Sequence, residues 1–147
     1  MKKVLSLLIA LIALSAIPIY AVSSHPSNDG VWMIALGHQN FKIGDEYVEF
    51  TVAPYLDTKE WRTMIQLRPF AESLGASITW DDTTRTATIT YNGKEISFTE
   101  GVSLPNGMGV PKLVKGHLMV PLRYTSEQLG GRVYWFEEPQ VSTIIFQ

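Results

Sequence analysis

The sequence predicts a β-rich α+β fold made of two fused repeats, each a strand, a short helix and two further strands, in one compact domain. The main observation is that Met64 to Trp80 is echoed by Met119 to Trp135 at a constant offset of 55 residues (119 − 64, 135 − 80). Apolar and polar residues also alternate in short runs, which is typical of half-buried strands. The Asn92-Gly93 step then favours a tight hairpin between Ala87–Tyr91 and Lys94–Phe98.

The N-terminal residues are typical of a secretory signal peptide. Met1-Lys2-Lys3 is basic, and Val4 to Ile17 is apolar apart from two serines. This run is shorter than the roughly 18 to 20 residues of a membrane span, so we expect cleavage after Ala21, with an uncleaved anchor as the alternative. The predicted organisation is a signal peptide at 1–21, a polar linker at 22–30 and one domain at 31–147, with its repeats at about 31–91 and 92–147.

Composition excludes several kinds of partner. The chain has no cysteine, so its stability outside the cell must come from packing rather than disulfides. Loss of Lys2 and Lys3 with the signal peptide changes the formal net charge from −2 to −4, and no run of Lys or Arg remains. We therefore expect no binding to nucleic acid and, after cleavage, none to a membrane.

The region before the repeated motif is predicted to form short strands. Val31 to Leu36 is mostly apolar and predicts a buried strand. Phe41–Ile43 and Tyr47–Val52 flank Gly44-Asp45, which predicts a hairpin. The irregular stretch from Tyr55 to Glu60 predicts a loop.

Each repeat then continues with a strand, a helix and two strands. In the first repeat Thr63–Leu67 predicts a strand, and Pro69 fits the first position of a helix that Gly75 ends. The strand that contains Ile78 and Trp80 and the returning strand Thr86–Tyr91 follow. The corresponding predictions in the second repeat are Leu118–Leu122, the helix Tyr124–Leu129 ended by Gly130, Arg132–Trp135 and Val141–Phe146.

These motifs resemble a known family. Val-Ala-Pro-Tyr-Leu at 52–56 precedes Met-Ile-Gln-Leu-Arg-Pro-Phe-Ala-Glu-Ser-Leu-Gly at 64–75 and Trp-Asp at 80–81, with echoes in Met-Val-Pro-Leu-Arg-Tyr at 119–124 and Gln-Leu-Gly at 128–130. The pattern is similar to the copper amine oxidase N-terminal-like domain, also called the stalk domain. The resemblance implies a β-rich module of secreted and surface proteins of bacteria, found alone or beside enzymes, that takes no part in oxidation.

Copper chemistry is not expected of this chain itself. A copper oxidase site needs several imidazoles in fixed geometry and a tyrosine that becomes the quinone cofactor. The only histidines are His25, His38 and His117, which have no His-x-His spacing, and no Asn-Tyr step occurs. We interpret them as exposed loop residues and expect no metal and no cofactor.

Other catalytic arrangements are equally weak. Asp81-Asp82 and Glu137-Glu138 fall at matching places in the two repeats and are predicted to be solvated turn residues, with a weak calcium contact as the alternative. No Gly-x-Ser-x-Gly elbow is present, and no cysteine can act as a nucleophile. The sequence therefore predicts that the chain is not an enzyme.

The repeated polar and aromatic positions are interpreted as structural. Arg68 and Arg123 each precede a glutamate by four residues, which favours ion pairs along a helix; guanidinium forks for a carboxylate or sulfate ligand are the alternative. Trp32, Trp80 and Trp135 are predicted to lie in the core. The full structural motif comprises Arg68, Glu72, Gly75 and Trp80 in the first repeat and Arg123, Glu127, Gly130 and Trp135 in the second.

Binding is predicted where the repeats differ. Trp61 lies near Tyr55 in the predicted loop and has no counterpart, because Gly116 takes its place. Together with Tyr134 these aromatics predict a patch that stacks on a sugar or a protein surface, unless they tuck under their own loop. We therefore hypothesise a spacer or adhesion module, secreted or associated with the cell wall, that binds cell-wall glycan or an exported protein. The alternative is a secreted inhibitor that uses the 55–61 loop as a wedge.

Overall fold

The computed structural model of the chain describes residues 30–43, 46–138 and 140–146. The predicted signal peptide and most of the predicted linker lie outside this part of the chain. Gly30, assigned to the linker from sequence, is the first residue of a strand. The described residues form a strand-rich α+β structure, as predicted.

The strands and helices are short and are separated by tight turns. In chain order they are β1 (Gly30–Ala35), β2 (Asn40–Ile43), β3 (Glu46–Glu49), β4 (Tyr55–Asp57), β5 (Arg62–Gln66), α1 (Leu67–Ser73), β6 (Ser77–Asp81), β7 (Thr86–Tyr91), β8 (Lys94–Thr99), a 3₁₀ turn (Pro105–Gly107), β9 (Lys112–Val114), β10 (His117–Pro121), α2 (Leu122–Gln128), β11 (Arg132–Phe136) and β12 (Val141–Phe146).

Four consecutive elements occur twice with identical lengths. The segment β5-α1-β6-β7 corresponds to β10-α2-β11-β12, and each counterpart begins 55 residues later (117 − 62, 122 − 67, 132 − 77, 141 − 86). β5 and β10 pair antiparallel, so that Ile65 lies directly opposite Val120, its own counterpart in the repeat. An approximate twofold axis therefore passes between these two residues.

Strand exchange joins the two halves. The strands form three antiparallel sheets, ordered β11-β12-β1-β2-β3, β4-β5-β10-β9 and β6-β7-β8. β7, the last strand of the first half, pairs with β8, and β12, the last strand of the second, pairs with β1. Asn92 and Gly93, with φ of 48° and 75°, form the predicted tight turn between β7 and β8. Neither half completes its outer sheet alone.

The core is one cluster that spans both halves. Trp32 of β1 is 1% exposed, and its ring meets that of Phe70 of α1 edge to face, with centroids 5.4 Å apart. On the opposite side Phe98 of β8 meets Tyr124 of α2 in the same arrangement at 6.1 Å. α1 thus packs against the five-stranded sheet, which contains β12 of the second half, and α2 packs against the three-stranded sheet, which contains β7 of the first half. The burial of Trp32 confirms the prediction that it lies in the core.

Two details differ from the sequence predictions. The stretch Tyr55–Glu60 is not a loop throughout, because its first three residues form β4 and pair with β5. The helices begin at Leu67 and Leu122, two residues before the predicted starts. Pro69 is therefore the third helical residue, where it is still tolerated because the first four N–H groups of a helix have no intrahelical acceptor.

The first strand is also less buried than predicted. Trp32 and Ile34 point into the core, but Val31 and Met33 are 51% and 45% exposed. β1 is a central strand of an antiparallel sheet whose second face is open, so burial alternates along it. The apolar run gave no sign of this alternation, because both faces carry hydrophobic residues.

Candidate functional site

Two open clefts occupy equivalent places in the two halves. The first cleft lies between β6 and the β9–β10 hairpin and has a volume of about 410 Å³. The second cleft lies between β11 and the β4–β5 hairpin and has a volume of about 610 Å³. Both contain the repeated Arg and Trp, which are Arg68 and Trp80 in the first and Arg123 and Trp135 in the second. The duplicated scaffold thus forms the same cleft twice.

Internal hydrogen bonds occupy the polar groups of the first cleft. Trp80 Nε1 donates to Asp82 Oδ1 at 3.3 Å, and Gln66 Nε2 lies 3.1 Å from His117 Nδ1. Gln66 Oε1 in turn accepts from the backbone N–H groups of Thr51 and Val52, at 2.9 and 3.0 Å. The prediction that His117 is an exposed loop residue is wrong, because it begins β10 and is half-buried against Gln66. His38 is exposed in a turn, as predicted, and His25 lies outside the described residues.

Trp61 dominates the rim of the second cleft. Its side chain is 70% exposed, and its backbone is left-handed with φ of 52°. The equivalent residue on the first cleft is Gly116, with φ of 80°. A left-handed conformation is natural for glycine but strained for a bulky side chain, at a cost of about 1–2 kcal/mol. A tryptophan therefore occupies a position that the scaffold would fill better with glycine.

Trp135 is not a core residue, contrary to the sequence prediction. It is 37% exposed and lines the second cleft, whereas its counterpart Trp80 is half-buried and packs on the core. Both tryptophans lie on edge strands, β11 and β6, so the sheet edge by itself does not cause this difference. Leu56 of β4, 38% exposed, contributes to the same lining. The second cleft therefore presents two exposed indoles and an aliphatic side chain.

Both signs of charge surround the second cleft. Arg62 Nη2 donates to the carbonyl of Gly107 at 2.9 Å, which holds its guanidinium against the wall. Arg123 lies 3.6 Å from Glu127, and Glu137 and Glu138 are exposed at the rim. Donors and acceptors thus lie beside the indoles without a strong excess of either charge.

The predicted ion pairs along the helices are present in both halves. Arg68 Nη1 lies 3.2 Å from Glu72 Oε1, and the Arg123–Glu127 pair is looser at 3.6 Å. Each of these four side chains is about half exposed. The arginines stand at the mouths of the clefts, so their heads also face solvent where a ligand would enter.

The predicted aromatic patch of Tyr55, Trp61 and Tyr134 is not formed. Tyr55 and Leu56 are adjacent on β4 and point to opposite faces, and Leu56 is the one that faces the second cleft. Tyr134 is likewise adjacent to Trp135 on β11 and lies on the outer face of the sheet. Tyr55 is half-buried, and desolvation raises the pKa of its hydroxyl. Of the three residues, only Trp61 lines the cleft.

A partly buried ion pair joins two equivalent positions near the approximate twofold axis. Asp57, 8% exposed, contacts Lys112, and the two are 55 residues apart (112 − 57). The hydrogen bond from Lys112 lowers the pKa of the Asp57 carboxyl below its ordinary value, and the same bond raises the pKa of Lys112. Two identical halves would place two residues of the same charge in contact here. Asp57 and Lys112 carry opposite charges instead, so the two halves attract each other at this point.

The acidic residue Asp81 forms hydrogen bonds within its own turn. Asp81 Oδ1 accepts from the backbone N–H groups of Thr83 and Thr84, at 2.8 and 3.3 Å, and these bonds lower the pKa of its carboxyl, with Thr84 the larger cause. Within residues 30–43, 46–138 and 140–146, no three acidic or histidine side chains are arranged to hold a metal ion. In the same ranges no helix is long and apolar enough to cross a membrane.

Comparison with known proteins identifies the family. The model of the copper amine oxidase N-terminal domain matches residues 42–145, which is most of the chain. The protein therefore belongs to the family of copper amine oxidase N-terminal domains, a non-catalytic module of those enzymes. Comparisons with curated proteins and with solved structures returned no match.

Proposed function

We propose that this protein is a non-catalytic, secreted or cell-surface module in which a duplicated scaffold presents the second cleft as a binding site for cell-wall glycan. The observation that carries the proposal is Trp61, which is 70% exposed in a left-handed conformation while the equivalent Gly116 is not strained. Strained residues persist where surrounding structure supports them and are concentrated at functional sites. Trp61 stabilises nothing in the core, so binding explains its presence better than folding does.

The lining of the second cleft matches the chemistry of a sugar. The C–H faces of a pyranose ring are apolar and stack on indoles, and its hydroxyls both donate and accept hydrogen bonds. Trp61 and Trp135 supply the aromatic surfaces, and Arg123 and Glu137 lie beside them as donor and acceptor. Nothing in this set resembles an activated nucleophile, which agrees with a binding role.

Sedimentation with purified cell-wall glycan tests this proposal. The chain is expected to co-sediment, and Trp61→Ala is expected to weaken retention about tenfold, the equivalent of about 1.4 kcal/mol. Trp61→Phe is the matched control, since it keeps a stacking ring at the same strained position and should retain most of the binding. Equal retention of the wild type and Trp61→Ala would contradict the proposal.

The alternative partner is an exported protein, including an enzyme that the chain would inhibit. The β4–β5 turn projects Trp61 beyond the cleft, a shape that also fits a wedge into another protein. If the chain shows no glycan retention but binds one exported protein in a manner that depends on Trp61, the cleft is a protein-binding site. Inhibition would then be measured on that partner's own activity.

A further inference from the structure

The outer face of the five-stranded sheet is open and largely apolar. Strand pairing places the same alternate residues of all five strands on this side. We call it the outer apolar face, and its hydrophobic members are Val31, Met33, Ala35, Tyr47, Tyr134, Phe136, Val141 and Ile145. Five of them are strongly exposed, from Met33 at 45% to Tyr47 at 71%. Contiguous exposed apolar surface of this kind marks an interaction site.

The equivalent face of the three-stranded sheet is polar. At the 55-residue offset, Thr79 replaces Tyr134 and Asp81 replaces Phe136, and on the next strand Thr90 replaces Ile145. Its threonines and serine bond across the strands, as between the hydroxyls of Thr88 and Ser97 at 3.1 Å. The scaffold therefore folds with a hydrophilic surface at this position. Folding of the scaffold therefore does not require the hydrophobic residues of the outer apolar face.

One row across the outer apolar face is symmetric about its centre. The pairings Tyr134 to Thr143, Thr143 to Met33, Met33 to Lys42 and Lys42 to Tyr47 align five side chains in order. The row reads aromatic, polar, methionine, polar, aromatic. A surface that pairs with itself about a twofold axis needs this kind of symmetry, because each residue must suit the one that the axis places opposite it.

We propose that the outer apolar face binds a second copy of this chain, with the twofold axis parallel to β1 and passing over Met33. This axis places Met33 on Met33, Tyr134 on Tyr47 of the second copy and Lys42 on Thr143. An axis across the strands would instead place Lys42 on Lys42, which like charges disfavour. The two sheets would stack with nearly aligned strands, as in a β-sandwich.

Composition also suits a second copy. The five strands are four to six residues long, so a spacing of about 4.8 Å and a rise of about 3.3 Å per residue give a face roughly 19 Å by 16 Å. The projected area of about 300 Å² per copy is smaller than the roughly 800 Å² per partner of a standard interface, so we expect weak association. Tyr134, Phe136 and Tyr47 lie on its two outer strands, Met33 on its central strand and Arg132 at its margin, and all four residue types are enriched in interfaces.

Site-specific cross-linking tests the proposed axis. The chain has no cysteine, so Met33→Cys introduces a unique thiol at the centre of the face. A short bis-maleimide should convert most of this variant of the full chain to a covalent dimer. Ser97→Cys is the matched control, because Ser97 occupies the place of Met33 on the polar face, and it should remain monomeric. Equal cross-linking of the two variants would overturn the proposal.

A surface exchange gives an independent readout that needs no thiol. Tyr134→Thr with Phe136→Asp gives β11 the residues of the polar face, and both changed side chains are exposed, so the fold should persist. Sedimentation velocity should show a dimer for the wild type and a monomer for this variant, with at least a tenfold weaker association. A wild type that stays monomeric up to about 100 μM, or a dimer that the exchange leaves intact, contradicts the proposal.

Discussion

The first and second halves share one scaffold but present opposite surfaces. In the first half Trp80 donates to Asp82, two residues away, and threonine and serine hydroxyl groups cover much of the outer sheet face. In the second half Trp135 is exposed beside Trp61, and the outer face is apolar. The four repeated elements have identical lengths, so the clefts differ in their side chains, whereas the outer sheets differ also in size, with five strands and three. Function is therefore concentrated in the second cleft and on the sheet that the second half completes.

Equivalent positions of the two halves fall into two groups, those with similar residues and those with different ones. Matching residues such as Ile65 and Val120 meet near the approximate axis and form the shared core. Residues that differ at matching positions either join the halves, as Asp57 and Lys112 do, or face solvent at a cleft, as Trp61 and Gly116 do. Each kind of difference can be exchanged between the halves and measured.

The largest effect is expected at the third residue after each helix. Gly131 is the counterpart of Ala76, but a Cβ at 131 would lie 2.8 Å from Phe146 and 2.9 Å from Ile144. Gly131→Ala should lower the free energy of unfolding by about 1–3 kcal/mol through overpacking. Chemical denaturation measures this value. Ala76→Gly, the reverse exchange, should cost less than 1 kcal/mol or so, and a larger loss there than at Gly131 would contradict the packing difference.

Breaking the ion pair between the halves should have the next largest effect. Lys112→Met leaves Asp57 buried without its partner and should cost about 1–3 kcal/mol. The exchange Asp57→Lys with Lys112→Asp restores opposite charges and should recover part of the loss. If the exchanged pair is no more stable than Lys112→Met, the pair does not act as a complementary contact.

This ion pair also predicts a pH dependence. The pKa of Asp57 is lowered from an ordinary value of 3.8, so its contribution is present above that pH and is lost as the pH falls through the folded pKa. The pKa of Lys112 is raised from 10.5, so its contribution is present below that pH and is lost as the pH rises through the folded pKa. The stability difference between the wild type and Lys112→Met should therefore be largest between about pH 4 and 10 and should shrink on either side.

Replacement of Trp61 should have a smaller effect on the free energy of unfolding, and it should raise this value rather than lower it. Trp61→Gly gives the β4–β5 turn the glycine that the β9–β10 turn has at the equivalent position, Gly116. The change should stabilise the fold by about 1 kcal/mol, since it removes the strain of a left-handed tryptophan. The same change should weaken ligand binding about tenfold, as Trp61→Ala does. Thermal and chemical unfolding test the first outcome. A destabilised Trp61→Gly variant would mean that the indole supports the fold rather than a ligand.

The smallest effect is expected for the repeated arginines. Arg68→Ala and Arg123→Ala each remove one exposed pair along a helix and should change the free energy of unfolding by no more than about 0.5 kcal/mol. A loss of ligand binding in Arg123→Ala but not in Arg68→Ala would extend the contrast between the clefts to a charged group. Equal losses would indicate that both clefts bind.

Much of the fold followed from sequence because the repeat and the turns are local signals. The offset of 55 residues, the Asn92-Gly93 turn and the glycines after the helices placed most elements within two residues of their observed bounds. β4 and β9 were not predicted, since each has only three residues and gains its stability from a neighbouring strand. Of the two pairings that join the halves, β7 with β8 was predicted from the Asn92-Gly93 turn, whereas β12 with β1 was not, because it depends on contacts distant in sequence.

The candidate site was only partly predictable. Trp61 was identified because its counterpart is glycine, a comparison that needs no structure. The contribution of Trp135 was missed, since a repeated tryptophan suggests a core residue and the exposure of its indole is apparent only from the packing around β11. Alternation along β4 and β11 could have separated Tyr55 and Tyr134 from the cleft, because each is adjacent to a residue that faces it.

Paired truncation of the two equivalent tryptophans tests the central claim most directly. Trp80→Ala and Trp135→Ala remove the same side chain from the same place in the two clefts, and retention on cell-wall glycan is measured for each variant after its folding is verified. We predict that Trp135→Ala loses about tenfold in retention while Trp80→Ala binds like the wild type. Loss of binding in Trp80→Ala with retention in Trp135→Ala would contradict the assignment of function to the second cleft.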